Sequence, residues 1–172
     1  MGIATSLKQH LDSMGIAYIV TQHPYAEGSV NTARSAKIPP QCMAKAVLFR
    51  DEDFNYTLAV LPASHKVKRH TINEIFDRHM ELADEEETQE LFGDCQFGAI
   101  PAVGMAYNID VIWDDSLQDA SYIWIEAGDH EHLIRLDVNS FTRLMDNSLH
   151  EHISTAQRYH PPPKQEPLSY YW

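Results

Sequence analysis

The chain has 172 residues, 44% of them hydrophobic and 22% charged, the proportions of one soluble globular domain with a single core. No apolar run approaches the ~18 residues a membrane span needs, and the N-terminus has the pattern of an amphipathic helix, not of a secretory leader. A formal charge of −12 excludes a general nucleic-acid binder, because non-specific binding comes mainly from neutralised phosphates.

In chain order, Ile3, Leu7, Leu11 and Met14 fall at helical spacing, and Gly15 is a natural stop. Ile16 to Thr21 reads as a strand broken by His23-Pro24. Ser29 to Lys37 reads as a short helix ended by Pro39-Pro40. Ala44 to Arg50 and Tyr56 to Leu61 read as two buried strands, joined by a hairpin turn at Asp51, Glu52 and Asp53. Thr71 with Glu74 predicts a capping box for a helix from Ile72 to His79. A further helix starts at Asp84, where Glu85, Glu86 and Glu87 complement the helix dipole. Ile109 to Trp113, Tyr122 to Ala127 and Leu133 to Leu136 read as strands. A last helix spans Ser140 to Met145, with Phe141 and Leu144 inward. Strands and helices do not alternate, which argues against a Rossmann-like sheet. From Asn147 the composition changes to histidine, proline and aromatic residues, predicting a tail held by aromatic packing and not by sheet pairing.

The richest stretch for chemistry is Leu91 to Gly104, with three glycines and a proline in fourteen residues. Glycine serves where backbone approaches a ligand or takes φ > 0. A loop of this kind aims bare N–H groups at a carbonyl, a carboxylate or a phosphate. A tight helix-to-strand connection is the plainer reading. Lys45, among Ala44, Ala46, Val47 and Leu48, stands either at a pocket mouth or at the surface. His65 lies just past a strand end, with Ser64 beside it as a hydrogen-bond donor. His23 precedes a proline, and Gly128, Asp129 and His130 either border a pocket or shape a turn. Lys66, Lys68, Arg69 and His70 form a local basic patch or a solvated edge. Cys42 and Cys95 have no disulfide-scaffold spacing and read as reduced thiols, with the cytoplasm as default compartment. A nucleophilic Cys95 would need a depressed pKa, which no sequence pattern indicates. The ten histidines form no metal-ligand motif, so no metal is expected.

FGDCQFGAIPAVG, with AKAVLF and LPASHKV upstream and WIEAGDHEHLIRLDVNSFTRL downstream, resembles the YbaK/EbsC family of aminoacyl-tRNA editing domains. Some members of that family stand free and some are inserted in prolyl-tRNA synthetase. The resemblance covers Ser6 to Leu144. It implies an α+β fold with a curved, largely antiparallel mixed sheet or partly closed barrel surrounded by helices. It implies a domain over residues 1–146, followed by the tail 147–172. It implies hydrolysis of mischarged aminoacyl-tRNA, with Lys45, Gly98, Ala99, Ile100 and Pro101 as catalytic residues. Its substrate-binding positions match His23, Ser64, His65, Ala102, Gly104, Gly128, Asp129 and His130. The chain departs from the family's GxxxP loop pattern at Ala102, where a proline is usual. Partners so implied are the acceptor end of aminoacyl-tRNA and a synthetase, for a monomer or homodimer with no membrane association. Two functions stay open: a free-standing deacylase, and a non-catalytic module of the same fold that binds tRNA or a synthetase.

Overall fold

The computed structural model describes residues 2–158. Five α-helices surround three sheets among them. Helix α1 (Thr5–Ser13) lays Leu7 and Leu11 into the core, as its apolar spacing predicts. It lacks a side-chain cap of its own. Asp94, far along the chain, accepts from the Ser6 N–H at 2.7 Å instead. Strand β1 (Ile19–Gln22) and helix α2 (Ser29–Ser35) follow.

The central sheet is built on β2 (Ala44–Arg50) and β3 (Tyr56–Pro62), which pair antiparallel over their whole lengths. Their sequences are nearly unbroken apolar runs, as strands covered on both faces require. The Asp51 carboxylate closes the hairpin by accepting from the N–H groups of Asp53 and Asn55, each at 2.9 Å. Strand β4 (His65–Val67) leaves β3 for a small separate sheet. Helix α3 (Arg69–Phe76), β5 (Glu81–Leu82) and α4 (Glu85–Leu91) come next. Strand β6 (Asp110–Asp114) pairs parallel with β3, and with β9 (Leu149–Glu151) at the edge the central sheet has the order β5-β2-β3-β6-β9. A second sheet, β1-β8-β7, contains β7 (Tyr122–Glu126) and β8 (His132–Asp137) and is wholly antiparallel. Helix α5 (Val138–Leu144) is capped by Asp137, whose carboxylate accepts from the Ser140 N–H at 2.7 Å. The two larger sheets meet at one parallel bridge, Met43 to Trp124. The α+β class and the mixed, mostly antiparallel sheet are as the sequence predicts.

Three expectations are corrected. The capping box lies at Asp84 and Glu87, with both reciprocal bonds made at 2.8 Å. Thr71 and Glu74 lie inside α3, whose N-cap is Lys68 and whose Glu74 pairs with His70. The segment after Asn147 is not a tail from its start. Strand β9 (Leu149–Glu151) adds to β6, and β10 (Ser154–Ala156) pairs with β4. The buried Asp114 carboxylate anchors this segment, accepting from the Ile153 N–H at 3.0 Å and the Ser154 hydroxyl at 2.7 Å. The aromatic residues Tyr170, Tyr171 and Trp172 lie outside the described residues. The basic patch is also dispersed, because Arg69 Nε donates to the Met80 carbonyl at 3.0 Å while Lys66 belongs to β4.

Gly104 opens a short 3-10 turn (Gly104–Tyr107) packed on β6. A Cβ there would lie 2.7 Å from both the Ile109 carbonyl oxygen and a Val111 methyl. This glycine answers to packing. Gly104→Ala is expected to destabilise the protein by about 1–3 kcal/mol through overpacking. Gly93→Ala, whose Cβ would meet nothing closer than 3.7 Å, serves as the control. Urea unfolding checks the pair, and equal midpoints would contradict this reading.

Candidate functional site

The Met43–Trp124 bridge decides what meets between the sheets. Two residues beyond Met43 and Trp124 stand Lys45 on β2 and Glu126 at the end of β7. Residues two apart on a strand share a face. Both side chains border one cavity of about 120 Å³, closed by Gly28 and Ser29 from the start of α2 and by Gly98 and Ile100 from the glycine loop. Met43 and Ala46 complete the lining.

Lys45 is half-buried, and burial lowers its pKa below that of an ordinary lysine. Its Nζ makes a long contact, 3.5 Å, to the Ala63 carbonyl. Glu126 is only 8% exposed. Burial pushes its carboxyl up to about 7, while His130 and the Thr32 hydroxyl pull weakly the other way. Its Oε2 has no partner among the described residues. An acid of this kind is poised to exchange a proton near neutral pH. Composition gives no sign of it, since WIEA reads as a buried strand with one polar residue.

The loop is held open by its own geometry. Gly98 has φ +78, the left-handed region where glycine is relaxed. The His130 ring Nε2 hydrogen-bonds the Phe97 carbonyl at 2.6 Å. A carbonyl only accepts, so Nε2 is the donor in this bond, while the buried Nδ1 has no partner among the described residues. His130 thus braces the loop. Among the described residues, the Ala99 N–H is spent on the Gln96 carbonyl, whereas no partner takes the N–H of Gly98 or Ile100. Gly98 is exposed and Ile100 half-buried, so both N–H groups are open to solvent or to an acceptor beside the cavity.

The other candidates are distributed around this cavity. Ala99, Pro101 and Ala102 are buried behind the lining, with Ala102 in the main core cluster. Gly104 is buried in its packing turn. Gly128, at φ +122, lies against Ala4 and Cys95. Asp129 caps its own turn through the N–H groups of Glu131 and His132 and also accepts from the Gly2 N–H. His23 is buried, with Nδ1 on the Pro24 carbonyl at 2.8 Å and Nε2 without a partner among the described residues. His65 Nδ1 meets the Ser154 hydroxyl at 2.7 Å, and Ser64 lines a separate, larger groove. Cys95 is buried beside Tyr107 and Asp94, and burial pushes its thiol up to about 12. It is a poor nucleophile at neutral pH.

Between its ordinary pKa of 4.5 and about 7, Glu126 binds more protons in the folded chain than in the unfolded one. Its contribution to stability therefore falls as pH rises through that window. At ~1.4 kcal/mol per pH unit, the loss is on the order of 3 kcal/mol above pH 7. Glu126→Gln is expected to flatten the decline and to exceed the parent in stability at alkaline pH. Urea melts between about pH 5 and about pH 8 test this, and an unchanged pH slope would contradict it.

The model for the aminoacyl-tRNA editing domain matches residues 23–144 of this chain. Comparison with curated proteins finds no match. Among solved structures, the hypothetical protein APE2540 superposes with a TM-score of 0.78 at 15% identity, covering 87% of this chain and 99% of that one. A protein described as "a putative trans-editing enzyme for prolyl tRNA synthetase" superposes with a TM-score of 0.76 at 18% identity, covering 89% and 97%. No helix among the described residues is long and apolar enough to cross a membrane. With its family model spanning most of its length and a fold shared with these structures, the chain belongs to the aminoacyl-tRNA editing domain family.

Proposed function

We propose that this protein is a free-standing deacylase that hydrolyses the ester of mischarged aminoacyl-tRNA. The observation that carries the reading is that Lys45, Glu126, Gly98 and Ile100 line one small cavity, with the N–H groups of the last two unpaired among the described residues. In this reading the ester carbonyl accepts from the N–H groups of Gly98 and Ile100. These polarise the carbon and hold the oxyanion that forms when water attacks, and such preorganised donors cost no reorganisation during reaction. The water oxygen bonds to the carbonyl carbon and the carbon–ribose oxygen bond breaks. The ribose oxygen takes up a proton, leaving free amino acid and uncharged tRNA. Glu126, with a pKa of about 7, is matched to taking the proton of the attacking water. Lys45 holds the acceptor end or balances the developing charge.

A cavity of about 120 Å³ equals roughly four water volumes at ~30 Å³ each. That suits an aminoacyl group with a short side chain. Ala102, the departure from the family pattern, is buried in the core and does not line the cavity. Its substitution therefore does not favour the non-catalytic alternative.

A panel of mischarged tRNAs, assayed for release of free amino acid, tests the proposal. Turnover is expected for short side chains and to fall as the side chain grows. Lys45→Ala is expected to lower turnover about 10²-fold, roughly 3 kcal/mol in the barrier, as for removal of one preorganised electrostatic group. Its melting temperature should be close to the parent's, since the Ala63 contact is long. No turnover of any tRNA, or full activity in Lys45→Ala, would overturn the reading.

A further inference from the structure

Beside the Lys45 cavity lies a groove of about 790 Å³. Val30 of α2, Ile38 in the turn beyond it and Pro40 give the groove an apolar lining. All three are only half-buried among the described residues. Contiguous apolar surface of this kind marks an interaction site.

The place where the described chain stops indicates what fills it. Strand β10 pairs with β4, setting Ala156 opposite His65. The Gln157 N–H extends that pairing to the Ser64 carbonyl at 2.9 Å. Gln157 and Arg158 are thereby brought to the border of the groove, and fourteen residues, 159–172, follow them. Nine of the fourteen are proline, leucine, tyrosine or tryptophan, so side-chain burial is the gain open to this segment. Pro161, Pro162 and Pro163 have no N–H groups with which to prolong the ladder. Their fixed φ lowers the entropy lost when the segment is ordered on a surface. Six residues of polyproline beyond Arg158, at ~3.1 Å each, reach roughly 19 Å, whereas Val30 to Ile38 spans roughly 12 Å at helical rise. Lys164 and Glu166 cancel, so the segment brings no formal net charge to a groove bordered by Lys37 and Arg158.

We propose that residues 159–172 of this same chain occupy the groove, with proline rings and aromatic side chains packed on Val30, Ile38 and Pro40. A segment attached at the rim acts at an effective concentration on the order of mM, which favours it over a partner that must arrive from solution. The contacts are apolar, so salt does not release them. The proposal is independent of the deacylase reading, since it involves neither the Lys45 cavity nor an ester.

The test is photo-crosslinking in the full chain, with p-benzoylphenylalanine in place of Lys164, between the prolines and the aromatic end. Peptides from the irradiated protein are mapped by mass spectrometry. Crosslinks within one chain to residues 30–41 are expected, with a yield that holds between about 0.05 M and about 1 M salt. Val30→Glu should lower that yield several-fold, and Val30→Ile should keep it. The Val30→Glu change does not threaten the fold, because Val30 lies outside the three core clusters and in the first turn of α2, where a carboxylate suits the helix dipole. Crosslinked dimers whose share rises with protein concentration would assign the groove to a second copy and overturn the proposal. It would equally be overturned by crosslinks spread over other surfaces, by none at all, by a yield that collapses in high salt, or by an unchanged yield in Val30→Glu.

Discussion

The bridge between Met43 and Trp124 is the constraint on which the candidate site depends. Each sheet alone would present one functional side chain to solvent. Joined at that point, they bring the start of β2 and the end of β7 to the same cavity, and the burial that follows changes the chemistry of both groups. Lys45 loses part of its preference for the charged form, and Glu126 becomes an acid that titrates near neutrality. The bridge is itself covered by α2, whose first residues close the cavity on one side while the glycine loop closes it on another.

Much of the surrounding polar structure serves that loop. His130 takes the Phe97 carbonyl, Asp129 fixes the turn that positions His130, and the Gly2 N–H donates to Asp129. Asp94 ties the start of α1 to the other end of the loop. Cys95 and Tyr107 contribute a buried hydrogen-bonded pair beside it. Histidine, aspartate and cysteine are residue types that suggest catalysis in a sequence, but here His130, Asp129 and Asp94 bond to backbone and Cys95 to its side-chain neighbours. The loop pays for its open N–H groups with this bracing, since a glycine-rich segment loses much conformational freedom on ordering.

The sequence was legible where the signal is local. Strands β2 and β3 were readable because an apolar run bounded by charged residues has few other solutions, and α1 because Leu7 and Leu11 fall on one face. The resemblance pointed to Lys45, Gly98 and Ile100, which line the same cavity. What escaped is what arises only across the fold. Strands β4, β5, β9 and β10 have two or three residues each, too few to show alternation, and owe their existence to partners distant in sequence. Thr71 and Glu74 carry a capping pattern, but the Lys68 N–H pairs with the Ile153 carbonyl from the segment next to β10, and the helix begins earlier. Glu126 looks like one polar residue in a strand until burial raises its pKa.

The central claim is that the cavity between the two sheets receives an aminoacyl ester through the N–H groups of Gly98 and Ile100. The most direct measurement is a crystal structure with a non-hydrolysable analogue, in which an amide replaces the ester between a small amino acid and the terminal adenosine. The account predicts the acyl carbonyl within hydrogen-bond distance of those two N–H groups, the side chain inside the cavity, and Lys45 on the ribose or its phosphate. An analogue seated elsewhere, or with its carbonyl turned away from the Gly98 loop, would contradict it.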